Sequence, residues 1–407
     1  MQSLKCISID FGGFLLVLLL AWCRLAYSAA DETDKWQISV SDLIGYEDNL
    51  FRLSNDPSKH LPPGASRSDG INRASLAGAL RYDIGRQKLL LKAQVASNQY
   101  FKNSKLDYLS TDSKALWQWR AGKYFSGEIG YNYRLYQSSF TNTVFFGKDL
   151  IDENTYLATG QYAWDPNWRI RSGFNWTEAQ HSVTERSFLD RQSARVFAGF
   201  DYISSLNNRI GLEYQFIDTA LPNREADATT LIDNHSLQQS INTLFSWQFL
   251  HKTRLEGSFG YTENTFRKFN ARNFSGYTGK AVLTWDSTDK TSLNLSVWRQ
   301  LITAADITAN YLVGQGVSLA PIWKVTAKLN LLGNISWENL DYAGDPGLQK
   351  GRSVRQDDVL SGQISLRYSP IRNANIELTY RSENRSSNLL GADFNSSSVF
   401  ATAGLKF

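Results

Sequence analysis

After residue 30, apolar and polar residues alternate along nearly every segment of the chain. In residues 125–135 the odd positions are mostly aromatic or aliphatic, whereas Glu128 and Arg134 occupy even positions. Residues 241–249 and 325–331 show the same two-residue period. Because successive side chains of a β-strand point to opposite faces, this period predicts strands with one apolar and one polar face.

Applied to the whole chain, the pattern predicts about 18 strands, with a range of 16–18, each about ten residues long. A strand of that length crosses a bilayer at a tilt. The predicted strands cover residues 36–46, 73–84, 88–100, 110–120, 124–136, 153–164, 168–177, 192–203, 208–217, 236–249, 254–264, 274–285, 291–300, 309–319, 323–337, 357–368, 374–383 and 396–407.

The links between these strands alternate between short and long. The short links are residues 85–87, 121–123, 165–167, 204–207, 250–253, 286–290, 320–322 and 370–373. The long, polar links include residues 47–72, 138–152, 178–191, 217–234 and 338–356. Short turns on one side and long loops on the other are typical of an antiparallel up-and-down barrel of the bacterial outer membrane.

The two ends of the sequence favour the same fold class. An even strand count places both ends on the short-turn, periplasmic side, and the alternating last segment closes on Phe407. That segment resembles the C-terminal signal of outer-membrane barrels. A soluble all-β protein could alternate in the same way, but it would not need so many outward Tyr and Trp residues. We therefore predict a transmembrane β-barrel over residues 31–407.

Residues 1–30 carry the features of a secretory signal peptide. Lys5 precedes an apolar run over residues 11–22, and Ser28, Ala29 and Ala30 provide small residues for cleavage. The only cysteines, Cys6 and Cys23, lie in this segment, so we expect no disulfide in the mature chain. We predict export through the Sec pathway to the outer membrane of a Gram-negative cell.

Composition excludes several function classes. The net charge is only +4, which argues against a nucleic-acid partner. Aromatic residues make up 13% of the chain, with 12 Trp and 19 Tyr, although mean hydropathy is negative at −0.36. The four histidines show no metal-ligand spacing, and no catalytic or phosphate-binding motif is present. We therefore predict no enzyme activity, no metal and no cofactor.

Basic residues fall mainly on the polar side of the predicted strands, which would face the lumen. Fewer acidic residues share that side: Glu128, Asp201, Glu213, Glu256 and Glu377. Two readings stay open, because the cations could form a path for anions or could pair with acids in the wall. Tyr100 and Tyr136 could stack on sugar rings or could fill space. The candidate pore-lining residues are Arg81, Lys92, Arg134, Arg169, Arg171, Arg195, Lys280, Lys328, Arg367, Arg381, Tyr100 and Tyr136; Lys114, Arg120, Arg209, Arg254 and Lys324 lie on the same side.

A barrel of about 18 strands is wide enough to hold an aqueous channel. No domain precedes the first predicted strand, so we expect no plug. The loops over residues 47–72 and 338–356 are the expected constrictions, should they fold inward.

One short segment carries a family resemblance. Residues Tyr46, Glu47, Asp48, Asn49, Leu50, Phe51 and Arg52 resemble the Tyr-Asp-Asp-Asn-(Leu/Val)-Phe-Arg signature of a family of outer-membrane β-barrel porins. That family includes the EpsL-type proteins encoded with exopolysaccharide biosynthesis systems.

The resemblance implies an outer-membrane conduit for a secreted, possibly acidic, polysaccharide. Its implied partners are outer-membrane lipid and lipopolysaccharide, the polysaccharide, and periplasmic or inner-membrane export proteins. Two alternatives stay open: a general or anion-preferring porin for small solutes, and a structural or adhesive surface barrel.

Overall fold

The protein is one closed antiparallel barrel, seen in a computed structural model that describes residues 35–54, 61–141, 145–303, 309, 311–345 and 353–407. The predicted signal peptide, both cysteines and His60 lie outside the described residues. The strands are β1 (Trp36–Glu47), β2 (Asp69–Ile84), β3 (Gln87–Tyr100), β4 (Tyr108–Ala121), β5 (Phe125–Gln137), β6 (Leu150–Tyr162), β7 (Trp168–His181), β8 (Arg191–Ile203), β9 (Arg209–Ala220), β10 (His235–Leu250), β11 (Thr253–Phe266), β12 (Phe274–Trp285), β13 (Thr291–Thr303), β14 (Tyr311–Lys324), β15 (Leu329–Asp341), β16 (Gln356–Ile371), β17 (Ala374–Ser387) and β18 (Phe394–Lys406).

Each strand pairs with its neighbours in the sequence, and β1 pairs with β18 to close the 18-stranded sheet. The predicted fold class and strand number are thus confirmed. Closure removes the sheet edge that a membrane barrel cannot leave unpaired. Three short 3₁₀ helices, Ser104–Leu106, Thr184–Leu189 and Asn270–Arg272, lie in the long loops. No described helix is long and apolar enough to cross a membrane.

One predicted turn is wrong. The sequence reading placed a turn at residues 320–322 and a strand over 323–337, whereas β14 runs on to Lys324 and the turn occupies residues 325–328. Pro321 lies inside β14 at a break in the β14–β15 ladder, which skips from Leu319↔Ile335 to Ile322↔Leu332. A proline has no backbone N–H to donate, so a strand accepts it where the ladder is interrupted.

The outer face of the barrel is apolar and carries two levels of exposed aromatic residues. Near the short turns, Trp168 packs against Phe200 with ring centroids 5.0 Å apart. Nearer the long loops, Tyr261 and Tyr277 lie 5.5 Å apart. Such girdles mark the two interfaces of a membrane, so the short-turn and long-loop ends lie on opposite sides of it.

The interior is polar through the middle of the barrel, and the apolar clusters formed by the described residues lie at the long-loop end. Loop residues Leu50, Phe51 and Leu53 are buried together with Leu106, and Tyr100 packs against them. We call these five residues the loop cluster. Phe51 also contacts the β5–β6 loop, with its ring 4.9 Å from that of Phe140.

Two further long loops follow the same inward course. Arg385, on the lumen face of β17, donates to the carbonyl of Thr141 in the β5–β6 loop, so that loop extends across the long-loop end. Tyr342, at the start of the β15–β16 loop, is buried in an apolar cluster against which Val354, at the end of that loop, and lumen-facing Val359 both pack. The first loop and the 338–356 loop thus fold inward in their described residues, which is the condition under which they are expected to constrict the channel.

Candidate functional site

The lumen wall is the candidate site, because cross-strand register brings the predicted basic residues to one surface. Residues directly opposite one another in a ladder point to the same face. Lys92 lies opposite Lys114, Arg134 opposite Glu153, Arg169 opposite Asp201, and Arg367 opposite Glu377. The exposed apolar side chains of the same strands, such as Val95 and Ile364, lie at the intervening positions.

At the short-turn end the cations are paired with acids. Arg169, Arg171 and Arg209 all lie within 3.1 Å of the carboxylate of Asp201, which is fully buried. Arg171 also pairs with Glu213. This network joins β7, β8 and β9, and it corresponds to the wall-pairing alternative for Arg169 and Arg171.

Other predicted lumen residues are paired less tightly. Arg367 Nε donates to Glu377 at 2.6 Å, with its side chain 43% exposed. Arg81 lies 3.3 Å from Asp83, and both side chains are solvent-exposed. Arg195 donates to Gln215 at 2.9 Å and lies 3.4 Å from Glu213. The arginine side chains of these pairs remain partly exposed to the lumen.

Nearer the long loops, Arg134 contacts Tyr136, one of the two aromatic residues among the candidate pore-lining residues. The Arg134 guanidinium stands 4.6 Å from the centre of the Tyr136 ring and lies 3.3 Å from Glu153. The Tyr136 hydroxyl donates to the other oxygen of Glu153 at 3.3 Å. Tyr100, by contrast, packs against the loop cluster. Space filling therefore describes Tyr100, while Tyr136 belongs to a hydrogen-bonded group.

Four cations at mid-height have no acid partner. Lys92, Lys114, Lys280 and Arg381 are exposed to the lumen, and among the described residues no carboxylate oxygen lies within 4 Å of their charged nitrogens. Lys92 lies five residues after Gln87, and Lys280 lies five residues before Trp285, each counted from the short-turn end of its strand. At about 2.5 Å of axial rise per residue of a tilted strand, both stand roughly 12 Å above that end.

These four side chains surround the channel. β3 and β12, which carry Lys92 and Lys280, are half of the barrel's strands apart and therefore face each other. Arg381 on β17 lies between them on one side, and Lys114 on β4 extends the Lys92 patch. We call Lys92, Lys114, Lys280 and Arg381 the mid-lumen ring.

Lys328 is a wrong prediction. It was assigned to a lumen-facing strand position, but it lies in the turn between β14 and β15, where its backbone N–H donates to the Thr326 hydroxyl. Apolar and polar residues happen to alternate over 325–331, although the first four of these residues form the turn. Lys328 therefore lines no part of the barrel wall.

The sequence reading also missed lumen-facing acids near the long-loop end: Asp112, Glu153, Glu338, Asp357 and Glu383. Glu383, for example, lies two residues after Arg381 on β17 and therefore faces the same way. Extending the same alternation to the strand ends would have found these acids. Asp357 is fully buried and binds Arg355 at 2.6 Å. The lumen is therefore basic at mid-height and balanced near the long loops.

The residues of the resemblance motif form a structural anchor. Asn49 Nδ2 donates to the carbonyls of Leu53 and Asn395, each at 2.8 Å. Arg52, whose φ of 56° lies in the left-handed region, pairs with Glu47 and Glu383. Phe51 is buried, Tyr46 points outward and Asp48 accepts from the backbone of Ser397. These contacts tie the start of the first loop to β17 and β18.

Nothing in the described part of the chain gathers three or more His, Cys, Asp or Glu side chains that could hold a metal ion. The buried histidine pairs lie in or beside long loops, as with His181 and Asp149, 2.7 Å apart. The absence of enzyme activity stays a prediction.

Comparisons with known proteins agree with this architecture. Residues 216–407, just under half of the chain, match the family described as "Putative beta-barrel porin 2". No curated protein sequence matches the chain.

Among solved structures, OccK2 (OpdF) of Pseudomonas aeruginosa aligns with a TM-score of 0.52 and 12% identity, over 93% of this chain and 100% of that chain. A BenF-like porin of Pseudomonas fluorescens Pf-5 gives 0.51 and 10%, over 92% and 99%. OccAB3 of Acinetobacter baumannii gives 0.50 and 9%, over 92% and 99%. At these identities the similarity identifies the fold, that of outer-membrane porins, and leaves the solute open.

Proposed function

We propose that this protein is a diffusion porin of the outer membrane that prefers small hydrophilic anions. The observation that carries the proposal is the mid-lumen ring, four exposed cations with no carboxylate partner among the described residues. The short turns would face the periplasm and the long loops the cell exterior, in contact with lipopolysaccharide.

The ring matters because its charges act within a water-filled passage of limited width. The Debye length in physiological salt is about 8 Å. In a narrowed lumen the electric fields of opposing cations therefore overlap, and a passing ion experiences both. A low-dielectric wall concentrates that field further. Rings of Lys and Arg favour anions for this reason.

The remaining basic residues support the same pore in a different way. The buried Asp201 pairs with Arg169, Arg171 and Arg209 and holds β7–β9 together. An unpaired charge in the wall has no such structural use, and like charges directly opposite each other cost stability. Attraction of a passing anion explains why the like charges of Lys92 and Lys114 lie directly opposite each other.

Exopolysaccharide export stays a prediction from the resemblance. The motif behind it makes structural contacts to β17 and β18, which account for its residues without a polymer. The inward loop cluster and the Arg385–Thr141 contact also narrow the end through which a polymer would leave. Both features favour small solutes over a polysaccharide.

Liposome swelling tests the proposal with solutes of similar size and different charge. OccK2 has been solved with glucuronate, which makes this sugar acid a suitable probe beside glucose and glucosamine. We expect entry in the order glucuronate, glucose, glucosamine, with a ratio of about threefold or more between the first two. Equal rates for all three would contradict an anion preference, and no swelling with any of them would contradict a diffusion channel.

A further inference from the structure

Within the described strands, β12 and β13 are the one neighbouring pair that separates while both strands continue. Their pairing ends at Gly279↔Arg299, whereas β12 extends toward the long loops to Phe274 and β13 to Thr303. The carbonyl of Tyr277, beyond the last pair, accepts a hydrogen bond from the Arg299 side chain at 3.2 Å. A side chain thus replaces the partner strand where the seam opens.

The separation arises because the start of β14, at Tyr311–Val313, bends into the barrel. Tyr311 and Val313 share a face with outward-facing Val317, yet both are buried. They pack on Phe266 and Phe274, which occupy the lumen face of β11 and β12. The outward side of the start of β14 therefore lies against the inner side of β11 and β12.

The overlap is closed by apolar side chains. The Tyr311 ring stacks on Phe266 at 6.1 Å and meets the edge of Phe274 at 5.7 Å, and Leu301 joins the group. We call Phe266, Phe274, Leu301, Tyr311 and Val313 the latch. The Tyr311 hydroxyl adds one long hydrogen bond, 3.4 Å to the Asn273 carbonyl. Apolar contacts without a backbone ladder can part more easily than a paired seam.

The seam opens at the membrane interface. Tyr277 lies where the strand pairing stops. Its side chain is exposed on the outer face and belongs to the aromatic level nearer the long loops. Unpaired strand edges are excluded from the hydrocarbon core of a bilayer, but water and lipid headgroups can satisfy them at this level. A molecule leaving through the seam would enter the outer leaflet at its headgroup boundary.

Behind the latch lies a cavity of about 70 Å³. Phe266, Leu301 and Tyr311 of the latch line it together with Arg224 and His235. Asp233 lines it as well, and its carboxylate accepts hydrogen bonds from the backbone N–H groups of residues 234, 235, 268 and 269. Arg224 is 6% exposed, and its Nη2 has no partner, nor does Nδ1 of His235. The Arg224 Nε donates to the Phe188 carbonyl at 3.2 Å, and no described carboxylate lies within 4 Å of its guanidinium.

A buried cation without a counter-ion calls for an anion. Burial lowers the pKa of the Arg224 guanidinium, which is nevertheless charged at any physiological pH. His235 binds Asp218 through Nε2, and in its protonated form Nδ1 also donates. The cavity offers these donors to a carboxylate. Its apolar lining comes from residues that include Phe266, Leu301 and Tyr311, and its volume has room for little more than the head group.

We propose that the β12–β13 seam is a lateral portal for an amphipathic carboxylate, whose head binds Arg224 and His235 while its apolar tail passes between Phe274 and Tyr311 to the membrane interface. This passage is separate from the aqueous path through the mid-lumen ring. It would give the barrel a second class of solute, with apolar chains of fatty-acid type.

Photolabelling with decanoate that carries a terminal diazirine tests the portal in the full barrel, reconstituted in nanodiscs. With the wild-type protein we expect adducts on the latch and on Tyr277 at the outer lip. In a Phe274→Cys/Tyr311→Cys variant, bridging the thiols with a short reducible methanethiosulfonate cross-linker should lower Tyr277 labelling about fivefold or more, and reduction should restore it. Arg224→Gln should lower labelling at both places.

The control bridges the paired β11–β12 seam next door through Glu263→Cys/Ser275→Cys, which lie directly opposite each other; its labelling should not change. Heat-modifiable gel mobility verifies that each variant is folded. KCl conductance should be the same with and without the bridge, so failure of the portal and failure of the anion channel give different results. Tyr277 labelling that survives the bridge, labelling confined to the lumen, or no labelling at all would each overturn the portal.

Discussion

Lys92 and Lys114 lie directly opposite each other across the β3–β4 ladder, with no described carboxylate within 4 Å of either ammonium group. Cβ atoms of such a pair are about 5 Å apart. Two unit charges about 7 Å apart in water repel by roughly 0.6 kcal/mol. The barrel tolerates this cost at the height where its lumen is most basic.

Removing one of the two charges should therefore stabilise the barrel slightly. We expect Lys114→Gln to raise the free energy of unfolding by about 0.5 kcal/mol, because repulsion is relieved and no ion pair is lost. Urea unfolding followed by tryptophan fluorescence measures this, with Lys290→Gln in an exposed turn as the control. A loss of more than about 1 kcal/mol would indicate that Lys114 stabilises the wall.

Asp201 should behave in the opposite way. Its carboxylate is fully buried between three arginines. Asp201→Asn removes the acid partner of Arg169 and Arg209 and leaves Arg171 with Glu213 alone, so it should cost about 3 kcal/mol. The same unfolding measurement applies.

Glu377→Gln provides the matched comparison for Asp201, since it breaks a single pair whose Arg367 is 43% exposed. Its expected cost is about 1 kcal/mol or less. If both substitutions cost the same, the Asp201 network is not the structural element inferred from its burial.

Phe51→Ala should loosen the long-loop end without unfolding the barrel. Phe51 is 2% exposed and contacts Phe140 and Phe146, so its removal leaves a cavity that costs about 3 kcal/mol in a packed site. We expect faster tryptic cleavage at Arg67 and Lys148 and a larger single-channel conductance.

Phe101→Ala, at a side chain 63% exposed near the same end, is the control for Phe51. It should leave both cleavage and conductance unchanged. Unchanged proteolysis in the Phe51 variant would show that the loop cluster does not hold the loops.

The barrel could be predicted from the sequence because every strand must meet the same requirement. Each crossing needs one lipid-facing and one water-facing side, so the two-residue period recurs 18 times and single errors do not change the outcome. The error at Lys328 arose where Pro321 resembled a turn signal. A break in the neighbouring ladder, invisible in the sequence, keeps that proline within β14.

The sequence could predict which residues face the lumen but not which of them are paired. Arg171 and Lys280 occupy equivalent positions in the alternation, yet Arg171 is bound by Asp201 and Glu213, and Lys280 has no acid partner among the described residues. Pairing depends on the register between strands, which links and bulges decide. The bend of the β13–β14 hairpin is likewise a tertiary effect, since Tyr311 and Val313 continue the ordinary outward pattern.

The most direct test of the anion preference is the reversal potential of the channel in a planar bilayer under a tenfold KCl gradient. The wild-type barrel should pass chloride over potassium by about threefold or more. A variant that replaces Lys92, Lys114, Lys280 and Arg381 with Gln should bring the ratio near one, while Lys123→Gln with Lys290→Gln, in the turns, should leave it unchanged. A wild-type channel that prefers potassium, or a ring variant with its chloride preference intact, would contradict the account.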